Sequence, residues 1–252
     1  MKIGLVQYNP IWEDKEANKE KLIQITSEGN DVELFIFPEM TLTGFTMKSE
    51  SVGEGIQGDS FRFFSELAQT KNTNVIAGIV EKTKNRYYNS LIHILPNGKL
   101  SKLYRKIYPF SYSGENEHYN AGAHPAVTKI KKWKIGLSIC YDLRFPELYR
   151  KYGKRRTHLI INTANWPNTR IEHWRTLLKA RAIENQCYVA GVNRVGDDPK
   201  LHYTGYSSVF NPMGKEIVSV ENEEKVIIAE IDKNFVNEVR EKFPFLDDMK
   251  SV

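Results

Sequence analysis

Short apolar runs alternate with charged and turn-forming segments along the first half of the chain. The pattern predicts a strand over residues 2–9, a charged helix over 13–29 and a second strand over 32–39. The last of these, VELFIFPE, is almost entirely apolar, which indicates a strand buried on both faces. Apolar residues at helical spacing predict a helix over 59–71. Further strands are expected over 74–82, 87–95 and 99–106, the last two joined by the turn sequence PNG.

The second half of the chain repeats this order of strand, helix and strand. WKIGLSIC (133–140) is typical of a buried strand, and it precedes a helix near 146–152 and the strand HLIINTA (158–164). An apolar stripe predicts a long helix over 170–186. The remaining predicted elements are strands over 188–193, 203–210, 215–220 and 225–231 and a helix over 233–241. No flexible linker separates the halves, so we expect one domain, residues 1–252, built from two similar α/β layers with helices on their outer faces.

The composition is that of an ordinary soluble globular protein. Of the 252 residues, 40% are hydrophobic and 27% are charged. The apolar runs are far shorter than the ~20 residues that a helix needs to cross a bilayer. The first residues, MKIGLVQYNP, enter a strand-like pattern without the apolar region and cleavage site of a secretory signal. We therefore expect a cytoplasmic protein that does not enter a membrane.

A net charge of +5 and a pI near 9.0 raise the question of nucleic-acid binding. The basic residues are interspersed with acidic ones, and the two basic clusters, at 129–134 and 150–156, are short. We therefore interpret the charge as a solvated basic surface and expect no nucleic-acid partner.

The cysteines and histidines show no spacing that is typical of a metal site. CxxC, HxH and HExxH motifs are all absent from the sequence, so we expect no bound metal. Cys140 and Cys187 could form one disulfide, but a chain of this size does not require it. Cys140 is unusual in its position, because it ends an apolar strand just before the charged residues Asp142 and Arg144. A reactive thiol is expected at such a place, near charge and solvent.

Three chemically active side chains follow predicted strands in the same way. Glu39 ends the run LFIFPE, Lys106 ends KLSKLYRK and Cys140 ends KIGLSIC. Because ligands of α/β sheets gather at strand ends, these side chains could share one site. A thiol nucleophile, a carboxylate base and an ammonium that stabilises a carbonyl oxyanion are sufficient for acyl transfer. The backbone N–H of Tyr141, which follows the thiol, could donate to the same oxyanion.

Each of these residues has a simpler explanation when it is considered alone. Glu39 could be a solvated charge at a strand end, Lys106 one of several basic residues on the surface, and Cys140 a core residue. The occurrence of all three in one sequence favours a catalytic role.

The segment 108–124, rich in glycine, asparagine and tyrosine, has no periodicity and predicts a long loop, which in a compact domain is often functional.

Three segments resemble the signatures of the nitrilase superfamily of carbon–nitrogen hydrolases: FPEMTLTGF (37–45), LYRKIYPF (103–110) and GLSICYDLRFPELYR (136–150). They occur in the family's order, and residues 173–196 are similar to its long helix and following strand. The resemblance covers essentially the whole chain. It implies an α+β fold, namely a four-layer α-β-β-α sandwich of two mixed sheets flanked by helices, and it implies a homodimer.

The resemblance also implies a role for each of the three residues. It makes Glu39 the general base, Lys106 the lysine that stabilises the oxyanion, and Cys140 the nucleophile. Cys140 would form a thioester intermediate, and neither a metal nor an organic cofactor would be needed. The family has a second glutamate in the loop after the lysine, seven residues before a glycine. Glu115 fits this spacing, and Glu117 is the alternative.

Two further segments, GENEHYNAG and TANWPNTRIEHWRTLLKARAIENQ, resemble the ω-amidase branch of the superfamily. That branch hydrolyses the terminal amide of small 2-oxo acid monoamides, such as 2-oxoglutaramate and 2-oxosuccinamate. An anionic substrate needs a cation, and Arg144 is the candidate, although it could instead form an ion pair with Asp142 or Glu147. The other candidates for the substrate pocket are Tyr141 beside the nucleophile and Phe45, Phe110 and Trp166 as aromatic walls.

Other functions are compatible with parts of this pattern. Another amidase, a carbamoyl hydrolase or a nitrile hydrolase of the same superfamily would use the same residues, because loops select the substrate. A papain-like enzyme would need a histidine beside Cys140, and His173 and His202 lack a supporting motif. A non-catalytic binding protein would have no need of a glutamate, a lysine and a cysteine together.

Overall fold

The computed structural model describes residues 1–27 and 31–250. In chain order the strands are β1 Lys2–Gln7, β2 Leu34–Ile36, β3 Asn74–Thr83, β4 Arg86–Ile94, β5 Leu100–Arg105, β6 Ala126–Ile130, β7 Trp133–Ile139, β8 Leu159–Ala164, β9 Tyr188–Asn193, β10 Val195–Asp197, β11 His202–Phe210, β12 Glu216–Glu221 and β13 Lys225–Glu230. The helices are α1 Lys15–Ser27, α2 Ser49–Val52, α3 Asp59–Thr70, α4 Glu115–His118, α5 Pro146–Lys154, α6 Ile171–Asn185 and α7 Lys233–Lys242. Residues 28 and 29 of the helix predicted over 13–29 lie outside the described residues. Within the described ranges, no helix combines the length and apolar character needed to cross a bilayer.

Two mixed sheets form the centre of the molecule. The first has the strand order β13-β1-β2-β3-β4-β5, in which β1, β2 and β3 are parallel and the other neighbours antiparallel. The second has the order β10-β11-β9-β8-β7-β6, with β12 also paired to β11, and here β7, β8 and β9 are parallel. Parallel neighbours need long crossover connections, which contain α1 and α3 in the first sheet and α5 and α6 in the second.

Alternate strand residues face opposite sides of each sheet and build two kinds of core. Leu34 and Ile36 of β2 lie between the sheets, together with Leu137 and Ile139 of β7. Phe35 lies between Leu34 and Ile36 in sequence and packs on the other face of its sheet, in a cluster that includes residues of α1 and α3. The outer face of the second sheet packs against α5 and α6. The four-layer α-β-β-α sandwich predicted from the sequence is confirmed.

Strand β2 is much shorter than the segment predicted over 32–39, and Pro38 explains the difference. The backbone N–H of Phe37 still donates to the carbonyl of Ile76 at 2.8 Å. Proline has no N–H for the next step of the ladder, so the pairing ends there. Met40 then adopts a positive φ of 45°. A tight turn therefore begins where Glu39 leaves the sheet.

Strand β6 was not predicted. Ala126, Thr128 and Ile130 are buried while Lys129 is exposed, so the strand has the expected period of two. Threonine and lysine hide this period in a short segment that overlaps a basic cluster. The segment 108–124 also contains more structure than predicted, because a 3-10 turn at Ser111–Ser113 and helix α4 lie within it.

Candidate active site

The three strand-end side chains lie together at one end of the sandwich. Glu39 follows β2 and Lys106 follows β5 in the first sheet, whereas Cys140 follows β7 in the second. The Nζ atom of Lys106 lies 2.8 Å from Oε1 of Glu39, and each residue is only 1% exposed. The Cys140 thiol lies close enough to Glu39 for the charge of this carboxylate to raise the thiol pKa. The cluster therefore combines side chains from both sheets.

Glu115, and not Glu117, contacts the lysine. Its Oε2 atom lies 2.7 Å from Nζ of Lys106 and accepts the backbone N–H of Phe110 at 2.5 Å. Glu115 is fully buried at the start of α4, whereas Glu117 is exposed. The spacing that favoured Glu115 in the sequence thus selects the glutamate that reaches the cluster.

Lys106 is held as an ammonium ion by its two carboxylate partners. Burial opposes the charge, but the negative charges of Glu115 and Glu39 outweigh that effect and raise the pKa of Lys106. A buried ammonium is stable only when it is paired in this way. All three groups lie close enough to Cys140 for their charges to act on its thiol.

Cys140 has a strained backbone and a protonated thiol. Its φ of 43° lies in the left-handed region, which is unfavourable for a residue with a Cβ atom. Burial and then the negative charge of Glu39 raise the pKa of the thiol well above its ordinary value. The other cysteine, Cys187, is also free but fully buried, and burial raises its pKa to about 12. The thiol beside the cluster of Glu39, Lys106 and Glu115 is therefore Cys140.

Asp142 fixes the 3-10 turn that begins at Cys140. It is fully buried and accepts the backbone N–H of Ile139 at 2.8 Å, the hydroxyl of Tyr104 at 2.6 Å and the backbone N–H of Tyr108 at 3.0 Å. Burial outweighs these donors and raises the pKa of Asp142 to about 6. The carboxylate thereby connects the nucleophile's turn to the chain that follows Lys106.

Two asparagines complete the cluster, and sequence reasoning missed both. The Nδ2 group of Asn89 donates to Oε1 of Glu39 at 2.7 Å and to Oε1 of Glu115 at 2.8 Å. Asn165 donates its backbone N–H to Oε2 of Glu39 at 2.9 Å and its side-chain amide to the Glu39 carbonyl at 2.8 Å. The available signal was an asparagine inside the apolar strand YYNSLIHIL and another directly after LIINTA. Glu39 is therefore oriented from both sheets.

A cavity of about 390 Å³ opens at Cys140. All five residues predicted to bind substrate line it: Phe45, Phe110, Tyr141, Arg144 and Trp166. Phe45 also covers the lysine, whose Nζ atom lies 5.3 Å from the ring centre. The cavity therefore has aromatic walls and the thiol within reach of a small ligand.

Arg144 does not form the ion pair that was its alternative role. Its guanidinium lies 4.8 Å from the ring centre of Trp166, and its Nη2 atom lies 3.3 Å from Nδ1 of His173. Asp142 is occupied by other donors, and within residues 1–27 and 31–250 no salt bridge joins Arg144 to an acidic residue. The arginine lines the cavity with its charge uncompensated by a carboxylate.

The histidines do not support papain-like chemistry. His173 contacts Arg144, and His202 pairs with Asp197 at 2.8 Å on the surface. In the part of the chain that the structure covers, no histidine lines the cavity at Cys140. The same part of the chain contains no group of three or more histidine, cysteine, aspartate or glutamate residues placed to hold a metal ion.

Comparison with known proteins identifies the family. The sequence profile of the carbon-nitrogen hydrolase family matches residues 2–241. The chain is 36% identical over 254 aligned residues to the omega-amidase YafV of Escherichia coli (strain K12), covering 98% of this chain and 96% of that protein. It is 32% identical over 228 residues to the 2-oxoglutaramate amidase of Bacillus subtilis (strain 168), covering 90% and 88%.

A solved structure extends the likeness to the fold. The crystal structure of XC1258 from Xanthomonas campestris, described as a CN-hydrolase superfamily protein with an arsenic adduct in the active site, superposes with a TM-score of 0.96 at 32% sequence identity. The match covers 100% of this chain and 98% of that one. The family profile, the two relatives and the solved structure all agree with one another and with the two-sheet fold. The chain belongs to the carbon–nitrogen hydrolases of the nitrilase superfamily.

Proposed function

We propose that the protein is an ω-amidase, which hydrolyses the terminal amide of small 2-oxo acid monoamides such as 2-oxoglutaramate and 2-oxosuccinamate to the acid and ammonia. The main support is the buried Glu39–Lys106 pair beside the Cys140 thiol, at a cavity that also contains Arg144, for which residues 1–27 and 31–250 provide no carboxylate partner. Relatives that carry the names omega-amidase and 2-oxoglutaramate amidase support the substrate class.

The first half of the reaction forms a thioester. Glu39 accepts the thiol proton, and the sulfur of Cys140 attacks the amide carbon to give a tetrahedral oxyanion. The ammonium of Lys106 and the backbone N–H of Tyr141 stabilise this oxyanion. Protonated Glu39 then gives its proton to the nitrogen as the carbon–nitrogen bond breaks, and ammonia leaves. The raised pKa of Cys140 makes an adjacent base necessary, because little thiolate exists without it.

The second half returns the enzyme to its starting state. Glu39, again a carboxylate, takes a proton from water as the water oxygen attacks the thioester carbon. Collapse of the second oxyanion breaks the carbon–sulfur bond, and the proton on Glu39 returns to the sulfur. The products are the 2-oxo dicarboxylic acid and free Cys140. Glu115 and Asn89 act as positioning residues, because they contact Lys106 and Glu39 rather than the cavity.

Arg144 binds the carboxylate end of the substrate. A carboxylate that leaves water needs a paired cation, and a guanidinium can donate two parallel hydrogen bonds to it. The Trp166 ring under the guanidinium uses none of its N–H donors, so those that do not contact His173 stay available to the substrate. The amide end of the substrate then lies at Cys140, and Phe45, Phe110 and Trp166 surround the carbon chain.

Ammonia release from a panel of substrates tests the function. The panel contains 2-oxoglutaramate, 2-oxosuccinamate, L-glutamine, a neutral short amide, a nitrile and a carbamoyl compound. We expect the two 2-oxo acid amides to have the highest kcat/KM, Cys140→Ala to be inactive and Glu39→Gln to lose several orders of magnitude in kcat. Cys187→Ala, which changes the other free thiol, is the control and should keep activity.

The contribution of Arg144 is tested in the same assay. Replacement by methionine should weaken kcat/KM for 2-oxoglutaramate by ~2–5 kcal/mol, because the substrate carboxylate loses its cation. The neutral amide should change far less. Equal losses on both substrates would make Arg144 structural, and a preference for the nitrile or the carbamoyl compound would replace the ω-amidase assignment with another activity of the superfamily.

The proposal also includes the state in which the enzyme works. We expect a single domain over residues 1–252 that forms a homodimer in the cytoplasm, with a small amide as its ligand. Sedimentation velocity over a range of concentrations tests the dimer, and a monomer at micromolar concentration that is fully active would contradict it.

A further inference from the structure

A second arginine lines the cavity, and the described part of the chain offers it no acidic partner. Arg170 immediately precedes α6 and is partly buried, with its guanidinium 5.6 Å from the ring centre of Phe110. Its backbone carbonyl accepts the indole N–H of Trp166 at 2.8 Å, which ties its position to the aromatic wall. No salt bridge between Arg170 and an aspartate or glutamate occurs in residues 1–27 and 31–250.

The acidic residues around the cavity are already engaged. Glu13 pairs with Lys48 at 2.6 Å. Asp198 accepts the hydroxyl of Tyr203 at 2.5 Å and the backbone N–H of Lys200 at 2.7 Å. The acidic groups of the rim therefore have donors of their own, and they leave the guanidinium groups of the two arginines available to a ligand.

The two arginines occupy linked positions in the wall. Arg144 stacks on Trp166 and Arg170 on Phe110, and the indole of Trp166 also contacts the backbone of Arg170. An aromatic ring restricts a guanidinium plane without using its N–H donors. A single carboxylate needs only one such group. Two guanidinium groups match a ligand that has further hydrogen-bond acceptors beside its carboxylate and no positive charge near them.

We infer that Arg170 is a second substrate-binding residue and that, with Arg144, it makes the enzyme select 2-oxo acids over 2-amino acids. The inference rests on the proposed function. A 2-oxo acid presents three oxygen acceptors at one end, two from the carboxylate and one from the ketone. The guanidiniums can divide these three acceptors between them, because each carries five N–H donors.

An amino acid fails in the same place for an electrostatic reason. In L-glutamine the ketone oxygen is replaced by an ammonium group, which would lie beside two guanidinium groups. The amino acid loses an acceptor and adds a like charge in a partly desolvated cavity, where repulsion is stronger than in water. Selection against glutamine thus follows from the second arginine, while one arginine would serve both substrates through their shared carboxylate.

The test compares kcat/KM for four substrates: 2-oxoglutaramate, glutaramate without the ketone, L-glutamine, and neutral butyramide. In Arg170→Met we expect kcat/KM for 2-oxoglutaramate to fall by about tenfold to a hundredfold, as for the loss of a hydrogen bond to a charged group. The ratio of 2-oxoglutaramate to L-glutamine should fall by at least about tenfold, because the repulsion on glutamine is also relieved. Butyramide should stay within about threefold. Arg170→Lys keeps the positive charge but not the forked set of N–H donors. Its kcat/KM for 2-oxoglutaramate should therefore lie between those of the unaltered protein and Arg170→Met.

Arg175→Met is the matched control, because Arg175 lies in the first turns of α6 just after Arg170, has its guanidinium over the ring of Tyr206 and does not line the cavity. It should keep the substrate ratio of the unaltered protein. Equal losses on all four substrates in Arg170→Met, or an unchanged ratio of 2-oxoglutaramate to glutamine, would overturn the inference.

A binding measurement separates this inference from the proposed function. Calorimetry with 2-oxoglutarate and the Cys140→Ala protein reports on the anion site without turnover. Adding Arg170→Met should weaken this binding by about tenfold or more. If the unaltered enzyme releases ammonia from no ω-amide, the proposed function fails. In that case binding that depends on Arg170 still supports the arginine pair, and binding that is absent or independent of Arg170 refutes it.

Discussion

The Nδ2 atom of Asn89 lies 2.7 Å from the Oε1 atom of Glu39, inside the sandwich and away from solvent. The same amide group donates to Glu115 at 2.8 Å. Only the nitrogen end of the side chain can face two carboxylates, so the orientation of this amide is fixed by its surroundings. One neutral residue therefore separates two buried negative charges and holds both in place.

We predict that Asn89→Ala lowers kcat by about tenfold to a hundredfold with a smaller change in KM, since two hydrogen bonds to charged groups are lost without a contact to the substrate. Asn89→Asp should lower kcat further, because it adds a third carboxylate beside Glu39 and Glu115. Steady-state kinetics measure both variants. Asn85→Ala, in the exposed turn between β3 and β4, is the control. Unchanged kcat in Asn89→Ala would mean that Glu39 is oriented by its other partners.

The two loop glutamates should respond differently to the same substitution. Glu115→Gln removes one of the two carboxylates that hold Lys106 as an ammonium, and we expect kcat to fall by at least about tenfold. Glu117→Gln alters an exposed side chain and should leave kcat unchanged. Circular dichroism checks that both variants are folded. Equal activities of the two variants would mean that Glu115 does not position Lys106 for catalysis.

Alkylation of Cys140 should depend strongly on pH. Burial and Glu39 raise the pKa of the thiol, so only a small and growing fraction is thiolate as pH rises. In the absence of substrate, we expect the rate of iodoacetamide modification to rise by roughly tenfold per pH unit from neutral pH upward. Peptide mass spectrometry should find Cys140 modified in step with the loss of activity and Cys187 protected by its burial. Fast alkylation that is independent of pH would indicate a resting thiolate instead.

The stability of the fold should decrease in mild acid because of a buried histidine. Burial lowers the pKa of His93 to about 4, and its ring nitrogens lie 2.7 Å from Oγ1 of Thr128 and 3.1 Å from Oδ1 of Asn74. The unfolded chain takes up the proton near pH 6.5, and the folded protein does so only near pH 4. The contribution is therefore complete above pH 6.5 and is lost as the pH falls toward 4.

Urea unfolding at several pH values measures this effect. Between pH 6.5 and 4, we expect the free energy of unfolding to fall by about 1.4 kcal/mol per pH unit for each such histidine. His158, whose pKa burial also lowers to about 4, contributes in the same direction. His93→Gln should reduce the dependence of the unfolding free energy on pH, while replacement of the exposed His124 should not. Asp142, whose pKa is raised to about 6, acts in the opposite direction in this window. The decisive comparison is therefore between variants, and an unchanged pH dependence in His93→Gln would contradict the prediction.

The sequence predicted the sandwich and the members of the site best where periodicity and chemistry coincided. Each of Glu39, Lys106 and Cys140 stands at the end of a predicted strand, and the end of a strand can be read from the local sequence. Their catalytic roles stay predictions. Strand β6 was missed because five residues with a threonine and a lysine give too short a period to detect.

Asn89 and Asn165 show a different limit of sequence reasoning. Their significance depends on Glu39, which lies 50 and 126 residues away along the chain. An asparagine in a strand has no local feature that identifies its partner, since the partner belongs to another strand or to the other sheet. Arg170 was missed for the same reason, because the lack of an ion pair to it within the described residues is a property of its surroundings.

The division of the site between two sheets has a consequence for the evolution of this protein. The hydrogen bonds between Glu39 and Asn165 cross from one sheet to the other, so they form only in one alignment of the two layers. A displacement of ~1 Å at a reacting group can cost a hundredfold in rate. The volumes of Ile36, Leu137 and Ile139, which set that alignment from between the layers, are therefore subject to selection for turnover as well as for stability. Core residues that do not contact the substrate should therefore be substituted more slowly during evolution here than in a sandwich whose site lies within a single sheet.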